Sequence, residues 1–147
     1  MNITKWNIRI KNIFLGILAT MMMFSFTSPV IKVSFATSVV VPAARGYVKV
    51  KKGENMNYNI QIQIRNLSEV TGLQPAKRTY VVWLISDHFI TENLGILDSS
   101  TSALHNKFKT SFETESVLKP SKIFITAEDE PDVPRPGVQV VLATNIF

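Results

Sequence analysis

The sequence predicts an all-β chain folded as a two-sheet antiparallel sandwich, and three features carry that prediction. Tyr58–Leu67, YNIQIQIRNL, alternates apolar and polar residues at every position from Tyr58 to Arg65. Thr79–Ile85, TYVVWLI, is a continuous apolar run too short for a buried helix and rich in β-branched and aromatic residues. Past residue 36, turn-forming residues interrupt every apolar segment before a helical period can establish itself.

The elements follow in chain order. Asn2–Lys11 carries three basic residues, Asn12–Ile31 is 20 residues without a charge, and Lys32 leads into Ser34-Phe35-Ala36. A basic start, an apolar run and small residues before a cut describe a secretory signal, helical in its apolar part. Residues 1–36 are therefore assigned to a signal peptide cleaved after Ala36, with a cut after Ser28 as the nearby option. The same run is long enough for an uncleaved anchor with its basic flank in the cytoplasm. Either way the domain, residues 37–147, is expected outside the cytoplasm, secreted or membrane-anchored. A core helix fits poorly, because the run has no polar face.

Arg45–Lys51 is the first predicted strand, with Gly46, Val48 and Val50 on one face and Tyr47, Lys49 and Lys51 on the other. Gly53-Glu54-Asn55 turns the chain into Tyr58–Leu67. There Tyr58, Ile60, Ile62 and Ile64 oppose Asn59, Gln61, Gln63 and Arg65, and β-branched isoleucine suits a pleated surface. Gly72 and Pro75 separate this strand from Thr79–Ile85, a central strand covered on both sides, in which Trp83 is the expected core anchor. Ile90–Leu97 follows, then a polar loop over Asp98–Asn106. Phe108–Phe112, Lys122–Ala127 and Val138–Thr144 complete seven strands, the acidic, proline-rich Glu128–Gly137 looping before the last. Seven short strands with turn signals between them fit an immunoglobulin-like β-sandwich.

Composition narrows the function. There is no cysteine, which excludes disulfides, thiolate nucleophiles and cysteine-ligated metal clusters, so the domain must be held by its apolar core. The net charge of +5 arises in the leader: four of the 16 basic residues but none of the 11 acidic ones lie in residues 1–36. The rest is nearly neutral and carries no nucleic-acid footprint.

From Val48 to Thr144 the chain resembles the extracytoplasmic C-terminal domain of anti-sigma-K factors. The resemblance rests on Pro75 followed by Tyr80-Val81-Val82-Trp83-Leu84-Ile85, on Leu94-Gly95-Ile96, and on Ile123-Phe124-Ile125-Thr126-Ala127-Glu128. Pro134-Arg135-Pro136-Gly137 ahead of Val138–Leu142 completes it. The proline expected after Glu128 stands at Pro131, and a diglycine of the family is missing. The resemblance implies the outer domain alone. Cysteine is absent and about a dozen residues precede the apolar run, so the family's zinc-type anti-sigma domain is not expected here and its sigma-binding activity is not carried over.

Candidate sites are few. His88 and His105 are the only histidines, and both fall in predicted loops. No nucleophile elbow accompanies Asp87-His88, so a catalytic triad is not expected. Glu128, Asp129, Glu130 and Asp132 form the one weak candidate for a calcium loop. Their spacing matches no EF-hand, and a solvated connector describes them better. Lys49, Lys51 and Lys52 suit the protection of a sheet edge, or contact with an anionic wall polymer or lipid headgroups. Tyr80, Trp83 and Phe124 belong to core strands and are expected to pack rather than form a sugar platform. Asn66-Leu67-Ser68 matches a glycosylation sequon by pattern alone.

The expectation is a non-enzymatic exported module without cofactor, binding or sensing an unknown protein or cell-wall partner at the envelope. A structural or adhesive surface module, with weak calcium binding, is the alternative. Membrane contact is expected only through an uncleaved N-terminal segment. The alternation is directly testable: Ile62→Asp should unfold the domain, whereas Gln61→Asp, one residue away, should shift the denaturant midpoint little. Equal effects at the two positions would remove the strand.

Overall fold

The computed structural model describes residues 28–98 and 109–147. Eight strands are present: β1 (Val30–Ser34), β2 (Arg45–Lys52), β3 (Tyr58–Arg65), β4 (Thr79–Ser86), β5 (Thr91–Leu97), β6 (Lys109–Ser116), β7 (Pro120–Glu128) and β8 (Val140–Ala143). They form two four-stranded sheets, β1-β2-β3-β6 and β5-β4-β7-β8, with every pairing antiparallel. The only helical element among the described residues is one 3₁₀ turn over Val70–Gly72. No helix there is long and apolar enough to cross a membrane.

β3 organises the first sheet. It pairs with β2 and β6 along its whole length, placing Val48, Ile62 and Phe112 in one row and Val50, Ile60 and Thr114 in the next. Ile60, Ile62 and Ile64 are fully buried, as are Val48 and Val50 beside them. Facing them in the same core are Tyr80, Val82 and Leu84 of β4 and Ile123 and Ile125 of β7. Each buried isoleucine contributes about 1.5–3 kcal/mol relative to exposure. At the start of β2, Gly46 lies so close to its partner strand that a Cβ there would run into the Gln63 carbonyl and the Ile64 backbone. Tyr80 reaches through the core to donate a hydrogen bond to the Ser68 carbonyl at 3.0 Å, and burial pushes its hydroxyl up to about 12.

Three expectations change. First, β1 is a strand within the segment 1–36 assigned to export. It pairs with β2 from Val30↔Lys51 to Ser34↔Tyr47. Buried Phe35 then bridges to Thr144, and the Ala36 amide donates to the Ala143 carbonyl at 2.9 Å, joining the two sheets at that edge. An apolar leader and an apolar edge strand share one composition, which hid the boundary. Residues 1–27 lie outside the described residues.

Second, Trp83 is buried but does not anchor the core between the sheets. Strand parity sends it to the outer face of the second sheet, with Val81 and Phe124, under Val133 of the following loop. Tyr80 fills the inter-sheet position instead. Third, the strand predicted at Phe108–Phe112 is described as β6 over Lys109–Ser116, and β7 begins at Pro120. Phe108 and His105 lie outside the described residues, as does the loop except Asp98.

The position of β1 predicts a measurable boundary. A chain starting at Thr37 loses the strand, buried Phe35 and the hydrogen bond to Ala143. By area and hydrogen-bond values this costs at least about 2 kcal/mol against a chain starting at Ser28. Denaturant melts of the two should differ accordingly; equal stability would make β1 dispensable.

Candidate functional site

The parity that buries the isoleucines of β3 sends Asn59, Gln61, Gln63 and Arg65 to the outer face of the first sheet. The partner strands add a row on each side. Lys32 of β1 and Tyr47, Lys49 and Lys51 of β2 stand on one flank, and Ser111, Glu113 and Glu115 of β6 on the other. The face is thus basic along one side, acidic along the other and lined with amides between them.

Local contacts hold these groups in place. The Tyr47 hydroxyl donates to Gln63 Oε1 at 2.8 Å. Lys32 Nζ lies 4.1 Å from the centroid of the Tyr47 ring and Lys49 Nζ 5.7 Å. Lys32 and Lys49 are direct cross-strand neighbours, an arrangement that like charge destabilises. Tyr47 offsets part of that cost through the negative face of its ring. On the other side Gln61 Nε2 donates to Glu113 Oε1 at 2.9 Å, and Asn59 Nδ2 to the same oxygen at 3.4 Å.

Three solvent-open depressions lie on this face. One of about 450 Å³ is bordered by Lys49, Lys51, Asn59 and Gln61, one of about 460 Å³ by Gln61, Gln63, Ser111 and Glu113, and one of about 260 Å³ by Tyr47, Gln63, Arg45 and Arg65. A shallow face of this kind offers paired donors and acceptors to a hydroxyl-rich ligand, with cations for anionic substituents. The reading of Lys49, Lys51 and Lys52 as guards of a sheet edge does not survive, because β2 is paired on both sides and β1 forms the edge.

The predicted acidic loop is arranged otherwise. Glu128 is buried and accepts a hydrogen bond from the Gly137 amide at 2.7 Å, and a Cβ at residue 137 would overlap that carboxylate. Asp129 pairs with Lys77 at 2.7 Å, and Glu130 faces Arg78 at 3.9 Å. With Asp132 they do not converge, and among the described residues no group of three or more His, Asp or Glu side chains is placed to hold a metal ion. Asn93 fixes the same loop from β5 by donating to the carbonyls of Pro131 at 3.1 Å and Val133 at 3.4 Å. The loop is a lid over Trp83. That indole donates to Thr126 Oγ1 at 2.8 Å and stacks on Phe124 with 6.3 Å between ring centroids. Trp83 and Phe124 are thus covered, and Tyr80 is in the core, so the three share no sugar platform.

His88 lies in the β4–β5 turn, its side chain 84% exposed and its Nε2 3.7 Å from Asp87 Oδ1. Sequence reasoning missed the amide row and Lys32. The available signal was an outward face of β3 with three amides and a single charge.

Comparison with protein families, with curated proteins and with solved structures gives no match.

The lid makes a specific demand on Trp83. Trp83→Ala should cost about 3–5 kcal/mol, the range for a buried aromatic. Asn93→Ala should leave the core intact and raise amide exchange over residues 131–139. Unchanged exchange would show that the loop is held without Asn93.

Proposed function

We propose that the chain is a non-enzymatic binding module of the cell envelope. On this reading the outer face of the first sheet takes a linear, hydroxyl-rich polymer bearing anionic groups. The observation that carries it is the pair Lys32 and Lys49 against the Tyr47 ring, with Lys51 next along the same face; Lys49 and Lys51 stand on β2, which is paired on both sides, so edge protection does not explain them. Asn59, Gln61 and Gln63 beside the lysines would meet ring hydroxyls. The basic N-terminal segment and its apolar run support export, and β1 favours a cut near Ser28, or none, over one after Ala36.

The order of β2–β8 supports an immunoglobulin-like type: β3 to β4, β5 to β6 and β6 to β7 each change sheet, the Greek-key habit of such sandwiches. The likeness to the outer domain of anti-sigma-K factors, with Tyr80 and Leu84 packing inward, suggests a sensing context for the same module.

Affinity electrophoresis through polygalacturonate and through neutral dextran tests the reading. Retardation should occur in the acidic polymer and fall with salt. Each of Lys32→Gln, Lys49→Gln and Lys51→Gln should weaken it by about fivefold, taking about 1 kcal/mol per cation near an anionic surface. Equal retardation by dextran, or no loss in the triple variant, would discard the face as an anionic-polymer site.

A further inference from the structure

The pairing registers gather several turns at one end of the sandwich. Lys52, Tyr58 and Ser116 form one row across β2, β3 and β6, and Ser86 at the end of β4 pairs with Pro120 at the start of β7. The β2–β3, β4–β5 and β6–β7 turns therefore lie together, and β1 starts there, Val30 opposite Lys51. The turns are tied to their neighbours: Asn57 Nδ2 to Glu115 at 3.4 Å, the Asp87 amide to the Lys119 carbonyl at 3.1 Å, and Lys119 Nζ to Asp87 at 3.4 Å.

Each tip exposes an apolar side chain. Met56 is 73% exposed, Phe89 85% and Val117 75%, with Ile90 half-exposed beside Phe89. Met56 and Phe89 also have φ of 63° and 60°, a left-handed backbone that bulky side chains avoid and that glycine or asparagine would take easily. Exposed apolar residues occur elsewhere, Val39 and Val138 at the opposite end among them, but no other described non-glycine residue except Asn66 has positive φ.

We propose that this end of the sandwich docks on a lipid bilayer, with Met56, Phe89 and Ile90 inserted at the headgroup–acyl boundary. Two observations select lipid over a protein groove. The apolar side chains sit singly on three different turns rather than along one groove, and the uncharged run over residues 12–27 joins the domain at this end, just before Val30. The charge there is balanced, Lys51, Lys52 and Lys119 against Glu54, Asp87 and Glu115, so the contact is apolar rather than electrostatic. Aromatic and aliphatic side chains on otherwise polar turns settle in the interfacial layer of a bilayer.

The natural chain has no cysteine, so single variants Met56→Cys, Phe89→Cys and Val138→Cys each accept one environment-sensitive fluorophore. The full chain is reconstituted with phosphatidylcholine vesicles. Probes at 56 and 89 should shift to the blue, lose quenching by aqueous iodide and gain quenching by a lipid-borne spin label; the probe at 138 should do none of these. Raised salt should leave the result unchanged. Adding Phe89→Asn should reduce the shielding at 56 without lowering the melting temperature, because asparagine suits that backbone. The proposal fails if positions 56 and 89 show no lipid-dependent change, or if 138 responds as they do. It fails equally if the shift appears without lipid and grows with protein concentration, which would assign the tips to a contact between copies of the chain.

Discussion

The side-chain period of two along β3 is the constraint on which the rest of this molecule depends. Ile60, Ile62 and Ile64 are buried, and their parity fixes the register of β2 on one side and β6 on the other. A slip of one residue would turn three isoleucines to water and three amides to the core, a penalty far above the marginal stability of a small domain. The same parity places Asn59, Gln61 and Gln63 in one outward row. Core and candidate site are therefore two faces of a single pattern, and the flatness of the site follows from the packing behind it.

Where the pattern has a parity, the sequence is legible; where it does not, position is lost. β2 and β3 alternate cleanly, and their buried and exposed faces lie as the alternation predicts. TYVVWLI is apolar throughout, so it announces a strand covered on both sides without telling which residues face the other sheet. Trp83 falls on the outer face for that reason, and Tyr80 on the inner. β1 is hidden by a related ambiguity. Val30, Ile31 and Val33 continue the apolar composition of the preceding run, and only pairing with β2 separates strand from leader. Lys32, which looks like the end of a leader, becomes a member of the candidate site through the same pairing.

The acidic, proline-rich segment shows how composition can mislead in the opposite direction. Four acids in five residues suggest a solvated connector or a cation loop. Its real work is set by Trp83 and Phe124, which leave apolar surface on the outer side of the second sheet that must be covered. Val133 covers it, Asn93 pins the backbone, and Glu128 turns inward to satisfy the Gly137 amide. A side chain at residue 137 would have to displace that carboxylate. Asn93 lies 38 and 40 residues from the carbonyls it holds, and Trp83 lies on another strand, so no local signal reports the lid.

The two proposals for this molecule set complementary demands on its geometry. Holding Met56 and Phe89 in left-handed backbone costs roughly 1–2 kcal/mol each, which a fold selected for stability alone would recover with glycine or asparagine. Docking that end on a bilayer supplies a reason for the cost. It also sets the orientation of the rest: strands that start and finish at the docked end stand away from the lipid plane. The outer face of the first sheet then looks sideways, along the membrane plane, and its lysine and amide rows run outward from the surface. A polymer crossing that face meets Lys51 nearest the lipid and Arg65 farthest from it, while the lid over Trp83 faces the opposite direction. Polymer binding and lipid docking thus use adjoining surfaces of one sandwich, which meet at Lys51 and Glu115.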